Sequence, residues 1–260
     1  MIANTFELPR KHRILGLGIS ELKFDEAVNL FLKAAATRQK VRAVFCTVSS
    51  VVNANRDPEL YAQMESSQVV APDGTPLVWL SKLKGGNTER VCGPDLMPAL
   101  CERSQQYGYR HYFYGGAKGV AERLVSQLQA RYPDLQVAGI DSPPFRPLTE
   151  EEDQAVIARL NAAKPDFVWV GLGAPKQDVW ISTHQNQLQA PVLLAVGAAF
   201  DFHAGEVARA PNWMQRFGLE WIFRLIKEPR RLWRRYFITN TLFVLYLVAA
   251  SLRLRRYPRK

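Results

Sequence analysis

Cysteine is scarce in this chain, and no apolar leader segment precedes its first charged residues. Only Cys46, Cys92 and Cys101 occur in 260 residues, and their spacing matches no zinc-binding pattern. An odd and small number of cysteines argues against a disulfide scaffold and predicts buried thiols in a reducing compartment. Residues 1–18 contain no apolar run long enough for a signal peptide before charged residues interrupt it. We therefore expect the protein to stay in the cytoplasm.

Acidic residues are scarce near the carboxyl end of the chain. From Gly205 onward there are three of the 24 acidic residues but thirteen of the 34 lysines and arginines, so residues 1–204 carry equal numbers of each sign. The whole formal net charge of +10 therefore lies in segment 205–260. Such a segment needs an anionic partner, which is a nucleic acid, an anionic membrane or a phosphorylated substrate, and charge alone does not decide among them.

Repeats and low-complexity segments are also absent, and a hydrophobic content of 47% is sufficient for a full core. Apolar runs rich in β-branched and aromatic residues predict strands at 41–48, 68–71, 111–114, 167–170 and 192–196. Amphipathic spacing predicts helices at 117–132, 150–163 and 176–188, and Thr149 carries a capping signature for the second of them. Because strands and helices alternate, we predict an α/β fold with a mostly parallel sheet flanked by helices.

The composition changes after residue 204. We predict an α/β catalytic core of residues 1–204 and a basic, aromatic-rich helical appendage of residues 205–260, with Pro229 breaking or restarting a helix. Within the appendage, residues 236–252 form an apolar stretch that would measure about 25 Å as a helix, slightly less than a roughly 30 Å hydrocarbon core.

Arginines flank this apolar stretch on both sides, at 234–235 and at 253, 255 and 256. A spanning helix would place one basic cluster on the wrong side of the membrane, so a helix lying in the membrane interface fits better. The alternative is that the stretch packs on the core or on another subunit.

A dinucleotide-binding fingerprint is missing as well. Gly171-x-Gly173 follows a predicted strand, but Lys176 stands where the third glycine is required, so we predict no NAD site. Ligands of parallel sheets bind beyond the carboxyl ends of the strands. The segments at those positions are mostly small or polar: 47–50, 72–74, 114–116, 171–177 and 197–201.

Several short motifs occur in an order and spacing that resemble the WecG/TagA/CpsF glycosyltransferases, also called glycosyltransferase family 26. They are Thr47-Val-Ser49, Pro72-Asp73-Gly74, Glu89-Arg-Val-Cys-Gly93, Gly171-Leu-Gly-Ala-Pro-Lys-Gln177, Phe200-Asp201-Phe202, Arg209-Ala-Pro211, Gly218-Leu-Glu-Trp221 and the residues Arg224, Glu228, Pro229, Arg234 and Arg235. The resemblance extends from about Val41 to Arg235. Each motif is weak by itself, whereas their common order and spacing are specific.

This resemblance implies an inverting transfer of a sugar from a UDP-sugar to a polyprenyl-diphosphate-linked sugar. The protein would act peripherally at the cytoplasmic face of the bacterial inner membrane, and a homo-oligomer is left open. Segments 73–79 and 93–97 look more like exopolysaccharide-type members, so we expect a hexose-type sugar. The alternative is an N-acetylmannosamine-type transferase of teichoic acid or enterobacterial antigen pathways. The family is described as metal-independent, and the chain contains no Asp-x-Asp pair, so neither a metal nor a cofactor is expected.

The resemblance also implies the catalytic groups. Asp73 matches the family's aspartate and is predicted to be the base for the acceptor hydroxyl. Taken alone, Pro72-Asp73-Gly74 is a turn signal, and Gly74 permits a tight turn that would lift the carboxylate from the sheet edge. The family's appendage arginines correspond to Arg224, Arg231 and Arg234, which would close over the diphosphate. The appendage is thus predicted to be an active-site lid as well as the membrane attachment.

The resemblance suggests substrate contacts at further positions. Gln177 and Thr47 are expected at the sugar and Asp201 at the uracil or ribose, although a polar helix-start residue and a loop aspartate are the other interpretations of Gln177 and Asp201. Relatives usually read Thr-x-Asn where this chain has Ser49, so an amide is missing. Asn53 would share a helix face with Ser49 and is the candidate to replace that amide.

A hypothesis of another class makes the chain a nucleic-acid-binding α/β protein with a basic tail. It predicts binding that weakens steeply with salt. The apolar stretch at 236–252 has no use on a duplex, so we expect no nucleic-acid partner.

Overall fold

The computed structural model describes residues 6–252 and 254. In this part of the chain the strands are β1 Lys11–Ile14, β2 Leu17–Ser20, β3 Val41–Cys46, β4 Val69–Pro72, β5 Arg110–Gly115, β6 Gln136–Asp141, β7 Phe167–Gly171 and β8 Val192–Ala195. The helices are α1 Phe24–Ala36, α2 Val48–Ala54, α3 Pro58–Glu65, α4 Thr75–Leu83, α5 Gly93–Ser104, α6 Val120–Arg131, α7 Glu150–Ala163, α8 Lys176–His184, α9 Ala199–His203, α10 Asn212–Arg216, α11 Glu220–Lys227 and α12 Pro229–Ser251.

Six strands form a parallel sheet in the order β4-β3-β8-β7-β5-β6. Strands β1 and β2 form a separate antiparallel hairpin. Because all strands of the main sheet run in one direction, their carboxyl ends share one edge, with those of β4, β3, β8 and β7 side by side. The predicted α/β fold with a parallel sheet is confirmed.

Alternate side chains of the buried strands supply two hydrophobic clusters, one on each face of the sheet. Ala43 and Trp169 belong to one cluster, and their neighbours Val44 and Val168 belong to the other. Helices α1, α5, α6 and α9 cover the first cluster. Helices α2, α3, α7, α8 and α12 cover the second, together with the hairpin.

The strands and helices expected from hydrophobic patterning are all present, with the capping box of Thr149 and Glu152 at the start of α7. The patterning did not indicate β6. This strand lies at the edge of the sheet, is half-exposed, and includes Gln136, Gly139 and Asp141, which weaken its apolar signal. Edge strands of this kind carry little of the periodicity that reveals buried strands.

Helix α12 contains the apolar stretch 236–252, and one of its faces packs on the core. Leu232, Thr239 and Phe243 are buried, and Phe243 joins the same hydrophobic cluster as Val51 and Val52 of α2. The opposite face remains exposed over Phe237, Val244, Leu245, Val248 and Leu252. The stretch therefore covers the core with one face only, and the basic residues 253, 255 and 256 lie outside the described residues.

Pro229 occupies the first turn of α12, and α11 ends two residues before it, so the expected restart of the helix is confirmed. Within residues 6–252 and 254 we find no helix that is both long and apolar enough to cross a bilayer.

Candidate active site

The backbone around Asp73 is attached to the end of the neighbouring strand. The amide groups of Asp73 and Gly74 both donate to the carbonyl oxygen of Cys46, over 3.0 and 3.2 Å. Gly74 has an ordinary φ of −79° and is the N-cap of α4. The expected tight turn that would need a glycine is therefore not what positions Asp73. The pairing of β3 with β4 and the start of α4 hold it there instead.

The side chain of Arg90 joins Asp73 to the appendage. Its Nε donates to the Asp73 carbonyl oxygen over 2.7 Å, and its Nη2 donates to Asp73 Oδ1 over 3.1 Å and to Glu220 Oε2 over 2.8 Å. All three side chains are largely buried. Arg90 lies in the motif 89–93, but no role was predicted for it from the sequence. Its pairing with a residue 130 positions later was visible only after folding.

These contacts set the basicity of Asp73. Burial raises its pKa, the Arg90 guanidinium lowers it, and the charges of Glu220 and Asp95 raise it, with a net rise above the ordinary value. A carboxylate with a raised pKa is a stronger base than an ordinary aspartate. The environment therefore suits proton abstraction by Asp73.

A second ion pair between core and appendage lies beside the first. Arg209 Nη1 is 2.5 Å from Asp95 Oδ1, and the thiol of Cys92 donates to Asp95 Oδ2 over 2.9 Å. Burial alone would raise the pKa of Asp95, but the hydrogen bonds from Arg209 and Cys92 lower it overall. Asp95 is thus a structural anion, whereas Asp73 has the environment of a base.

Gln177 presents an unused hydrogen-bond acceptor at the same edge of the sheet. Its side chain is buried, and Nε2 donates to the Ala195 carbonyl oxygen over 2.8 Å. Its Oε1 has no hydrogen-bond partner in the described part of the chain. A Cβ on Gly197 would lie only 3.0 Å from this oxygen. A buried acceptor without a partner costs about 1–3 kcal/mol, so a substrate hydroxyl that donates to Oε1 would be stabilised.

Asp201 and the arginines of the appendage gather beyond the end of β8. Asp201 is partly buried on α9, and burial raises its pKa while Arg231 and Arg224 oppose that rise. The Arg224 guanidinium lies 5.7 Å from the centroid of the Phe202 ring, and its Nε is buried without a hydrogen-bond partner among the described residues. Arg231 forms an ion pair with Glu228.

A further arginine, Arg235, lies near Arg224 and Arg231. Burial lowers the pKa of Arg235, and the charges of Arg224 and Arg231 lower it further. Arg234 and Arg235 are both exposed on α12, and the predicted role of Arg234 stays a prediction. Arg224, Arg231 and Arg235, which we call the arginine cluster, therefore place like charges within electrostatic range of one another. Such an arrangement favours binding of a multivalent anion, which relieves the mutual repulsion.

Residues 47–53 cap helix α2 and attach it to α12. Thr47 Oγ1 accepts from the Ser50 amide over 3.2 Å, which caps α2. The buried Ser49 hydroxyl lies 3.0 Å from Thr239 Oγ1 on α12. Asn53 follows one turn later on α2, half-buried, and its side chain has no hydrogen bond within the described ranges. Ser49 thus connects α2 to the appendage, and its predicted role in substrate binding stays a prediction, as do those of Thr47 and Asn53.

A cavity of about 410 Å³ lies beside Arg90, the partner of Asp73. We call it the α4 cavity, because one face of α4 supplies Thr75, Val78, Trp79 and Lys82 to its wall. Arg90, which binds Asp73, also lines it, so one side chain connects the cavity to the candidate base. A volume of this size is within the range of pockets that hold small molecules.

The chain matches a known protein family over most of its length. The model of the glycosyl transferase WecG/TagA/CpsF family matches residues 12–257. The chain therefore belongs to this family of glycosyltransferases, and the resemblance noted in the sequence is confirmed.

Curated relatives in this family share about a third of the residues. The chain is 33% identical over 201 residues to the N-acetylglucosaminyldiphosphoundecaprenol N-acetyl-β-D-mannosaminyltransferase of Bacillus subtilis (strain 168), which covers 76% of each protein. It is 33% identical over 183 residues to the transferase of the same name from Bacillus spizizenii, which covers 70% of this chain and 69% of that protein. The Staphylococcus aureus (strain MW2) transferase of that name is 30% identical over 208 residues, which covers 78% of this chain and 80% of that protein.

Proposed function

We propose that this protein transfers an N-acetylmannosamine-type sugar from its UDP derivative to a prenyl-diphosphate-linked N-acetylglucosamine. The observation that carries the proposal is the buried Asp73, with its raised pKa, at the same strand edge as the arginine cluster. The names of the relatives favour this sugar over the hexose of exopolysaccharide synthesis that we expected first. Family membership likewise favours a transferase over a nucleic-acid-binding protein.

The proposed reaction needs a base and a charge acceptor at the two ends of one displacement. The acceptor hydroxyl oxygen forms a bond to the anomeric carbon of the donor while the bond from that carbon to the UDP oxygen breaks. Asp73 takes the hydroxyl proton, and the departing UDP carries away the bonding electrons. Arg224, Arg231 and Arg235 then stabilise the negative charge that develops on the diphosphate. Gln177 Oε1 is available to accept a hydrogen bond from a sugar hydroxyl.

Donor selection tests this proposal. Purified protein is incubated with a short-chain prenyl-diphosphate N-acetylglucosamine and, separately, with UDP-N-acetylmannosamine, UDP-N-acetylglucosamine and UDP-glucose, and the products are identified by mass spectrometry. We expect kcat/KM for UDP-N-acetylmannosamine to exceed that for UDP-glucose at least tenfold. A preference for UDP-glucose would support the hexose alternative and contradict the proposed donor.

We further propose that the exposed face of α12 attaches the protein to the cytoplasmic face of an anionic membrane. Phe237, Val244, Leu245, Val248 and Leu252 recur at helical spacing and are each 49–70% exposed. The basic residues of the appendage would contact acidic headgroups while this apolar face enters the interface. Phe243, on the other face, is already buried in the core.

Substitution within the apolar face tests this attachment. The double change Leu245→Ser and Val248→Ser should weaken binding to phosphatidylglycerol vesicles at least tenfold, because burial of each methylene is worth about 0.8 kcal/mol. Co-sedimentation measures the binding, and urea unfolding should be unchanged because both side chains are exposed. Phe145→Ser, which changes an 86% exposed side chain of the loop after β6, is the control. Equal retention of both proteins on vesicles would contradict attachment through α12.

A further inference from the structure

The α4 cavity is connected to Asp73 by Arg90, which lines the cavity and binds the Asp73 carboxylate. Strand β4 is at the edge of the sheet, with β3 and then β8 beside it. Asp73 follows β4, Asp201 lies on the helix after β8, and the cavity is built on the helix after β4. Asp73 and the α4 cavity therefore belong to the β4 end of this edge, whereas Asp201 and the arginine cluster belong to the β8 end.

This arrangement fits the geometry of an inverting displacement. The attacking hydroxyl and the leaving group must stand on opposite faces of the anomeric carbon. If the UDP diphosphate lies at the arginine cluster, the acceptor approaches from the opposite side, where Asp73 is placed to receive its proton. The α4 cavity is the space available for this approach, because Arg90 both lines it and binds Asp73.

The charged groups of the cavity leave one cation without a partner. The Glu89 carboxylate accepts from the Phe24 amide over 3.1 Å, and Asp95 is paired with Arg209. Arg90 is held between Asp73 and Glu220. The Lys82 ammonium has neither an ion pair nor a hydrogen bond in the described part of the chain. It is the lining group that remains free to bind an anion.

Along α4, Lys82 is separated from the candidate base Asp73 by about the length of a short ligand. Thr75 begins the helix two residues after Asp73, and Lys82 follows seven residues later, which is about 10 Å along the axis. Trp79 lies between them on the same helix face and is 58% exposed. Exposed aromatic rings offer an apolar face to a sugar ring, and Asn212 and Gln215 of α10 supply amides across the cavity.

We propose that the α4 cavity is the acceptor subsite, in which the acceptor sugar lies against Trp79 beside Asp73 and its diphosphate binds Lys82. The inference rests on the proposed function, since it assumes an acceptor that carries a diphosphate. It assigns the two diphosphates of the reaction to different cations: that of UDP to the arginine cluster, and that of the acceptor to Lys82. Helix α10 lines the cavity with Asn212 and Gln215, so the appendage would contribute to acceptor binding as well as to donor binding.

Substitution of Lys82 tests the subsite through kinetics. Lys82→Gln should raise KM for short-chain prenyl-diphosphate N-acetylglucosamine at least tenfold and leave KM for the UDP-sugar within twofold. With an alkyl N-acetylglucosaminide, which has no diphosphate, the variant should match the wild type. Lys164→Gln is the matched control. Lys164 is exposed and lies just before β7, where the strands begin, whereas the candidate site lies where the strands end. A normal KM for the diphosphate acceptor, or an equal rise with both acceptors, would overturn the assignment of Lys82.

A binding measurement separates this inference from the proposed function. Titration with the diphosphate-linked acceptor alone, followed by calorimetry, requires no donor and no turnover. We expect Lys82→Gln to weaken this binding at least tenfold. If the wild type shows that Lys82-dependent binding yet transfers no sugar from any UDP donor, the proposed function fails while the subsite stands. Equal binding by wild type and Lys82→Gln would overturn the subsite even if transfer occurs.

Discussion

Replacement of Asp73 by asparagine should reduce kcat by about 10²–10⁴ while UDP binding is retained, because the amide cannot accept the hydroxyl proton. The substitution preserves the size of the side chain, and the hydrogen bonds that place residue 73 come from its backbone and from Arg90. Transfer should be measured with saturating donor and acceptor, and UDP affinity by calorimetry. Asp134→Asn, an exposed position before β6, is the control for loss of one negative charge.

The pH profile adds a second measure of the same group. Since burial raises the pKa of Asp73, the acid limb of kcat should lie at a higher pH than that of an ordinary aspartate, whose pKa is 3.8. The rate falls as pH decreases through this raised pKa, because the protonated carboxyl is no longer a base. Asp73→Asn should lose this limb together with its activity. A variant that transfers sugar at the wild-type rate with the same profile would show that Asp73 is not the base.

Substitution of Arg224 by glutamine should reduce kcat by about 10²–10³, the effect of removing one donor from a charge that develops in the transition state. Arg224 is suited to this role because its Nε is buried without a hydrogen-bond partner among the described residues and its guanidinium lies over Phe202, near Asp201. UDP should also inhibit the variant less strongly, since the same guanidinium binds the diphosphate product. Arg230→Gln, an exposed position on α12 outside the arginine cluster, provides the comparison.

The two substitutions should affect different steps, which makes their comparison informative. Asp73→Asn removes proton transfer and should leave UDP inhibition unchanged, whereas Arg224→Gln should weaken both transfer and UDP inhibition. If Arg224→Gln and Arg230→Gln have the same small effect, the arginine cluster does not bind the leaving group. The appendage would then serve attachment alone.

Hydrophobic patterning was sufficient for most of the sheet because buried parallel strands are continuous apolar runs. Hydrophobic patterning did not predict strand β6, because an edge strand with Gln136 and Gly139 has no such apolar run. The site residues likewise divide into those that local sequence could identify and those that it could not. Asp73 follows a buried strand within a recognisable motif, so local sequence was enough to select it. Arg90 is equally close in sequence to that motif, but its significance depends on Glu220, which lies in another part of the chain.

Ser49 and Arg235 are two further residues whose contacts could not be predicted from local sequence. The difference from the family motif at Ser49 indicated altered substrate contacts, whereas the structure uses its hydroxyl to contact Thr239 of α12. Spacing selected Arg234 and gave no reason to add Arg235, which the fold brings into electrostatic range of Arg224 and Arg231. Both outcomes depend on which face of α12 packs against α2. That choice follows from burial of Leu232, Thr239 and Phe243.

The sequence by itself determined the family, the parallel α/β fold, the basic appendage and the selection of Asp73, because each of these depends on short motifs, periodicity or composition. Only the tertiary structure decided how the appendage meets the core. Arg90 is shared by Asp73 and Glu220, Arg209 is paired with Asp95, and the α4 cavity is closed by α10. Apart from the contact between Arg90 and Asp73, these contacts join residues more than 100 positions apart, and their distances and desolvation arise only when the chain has folded.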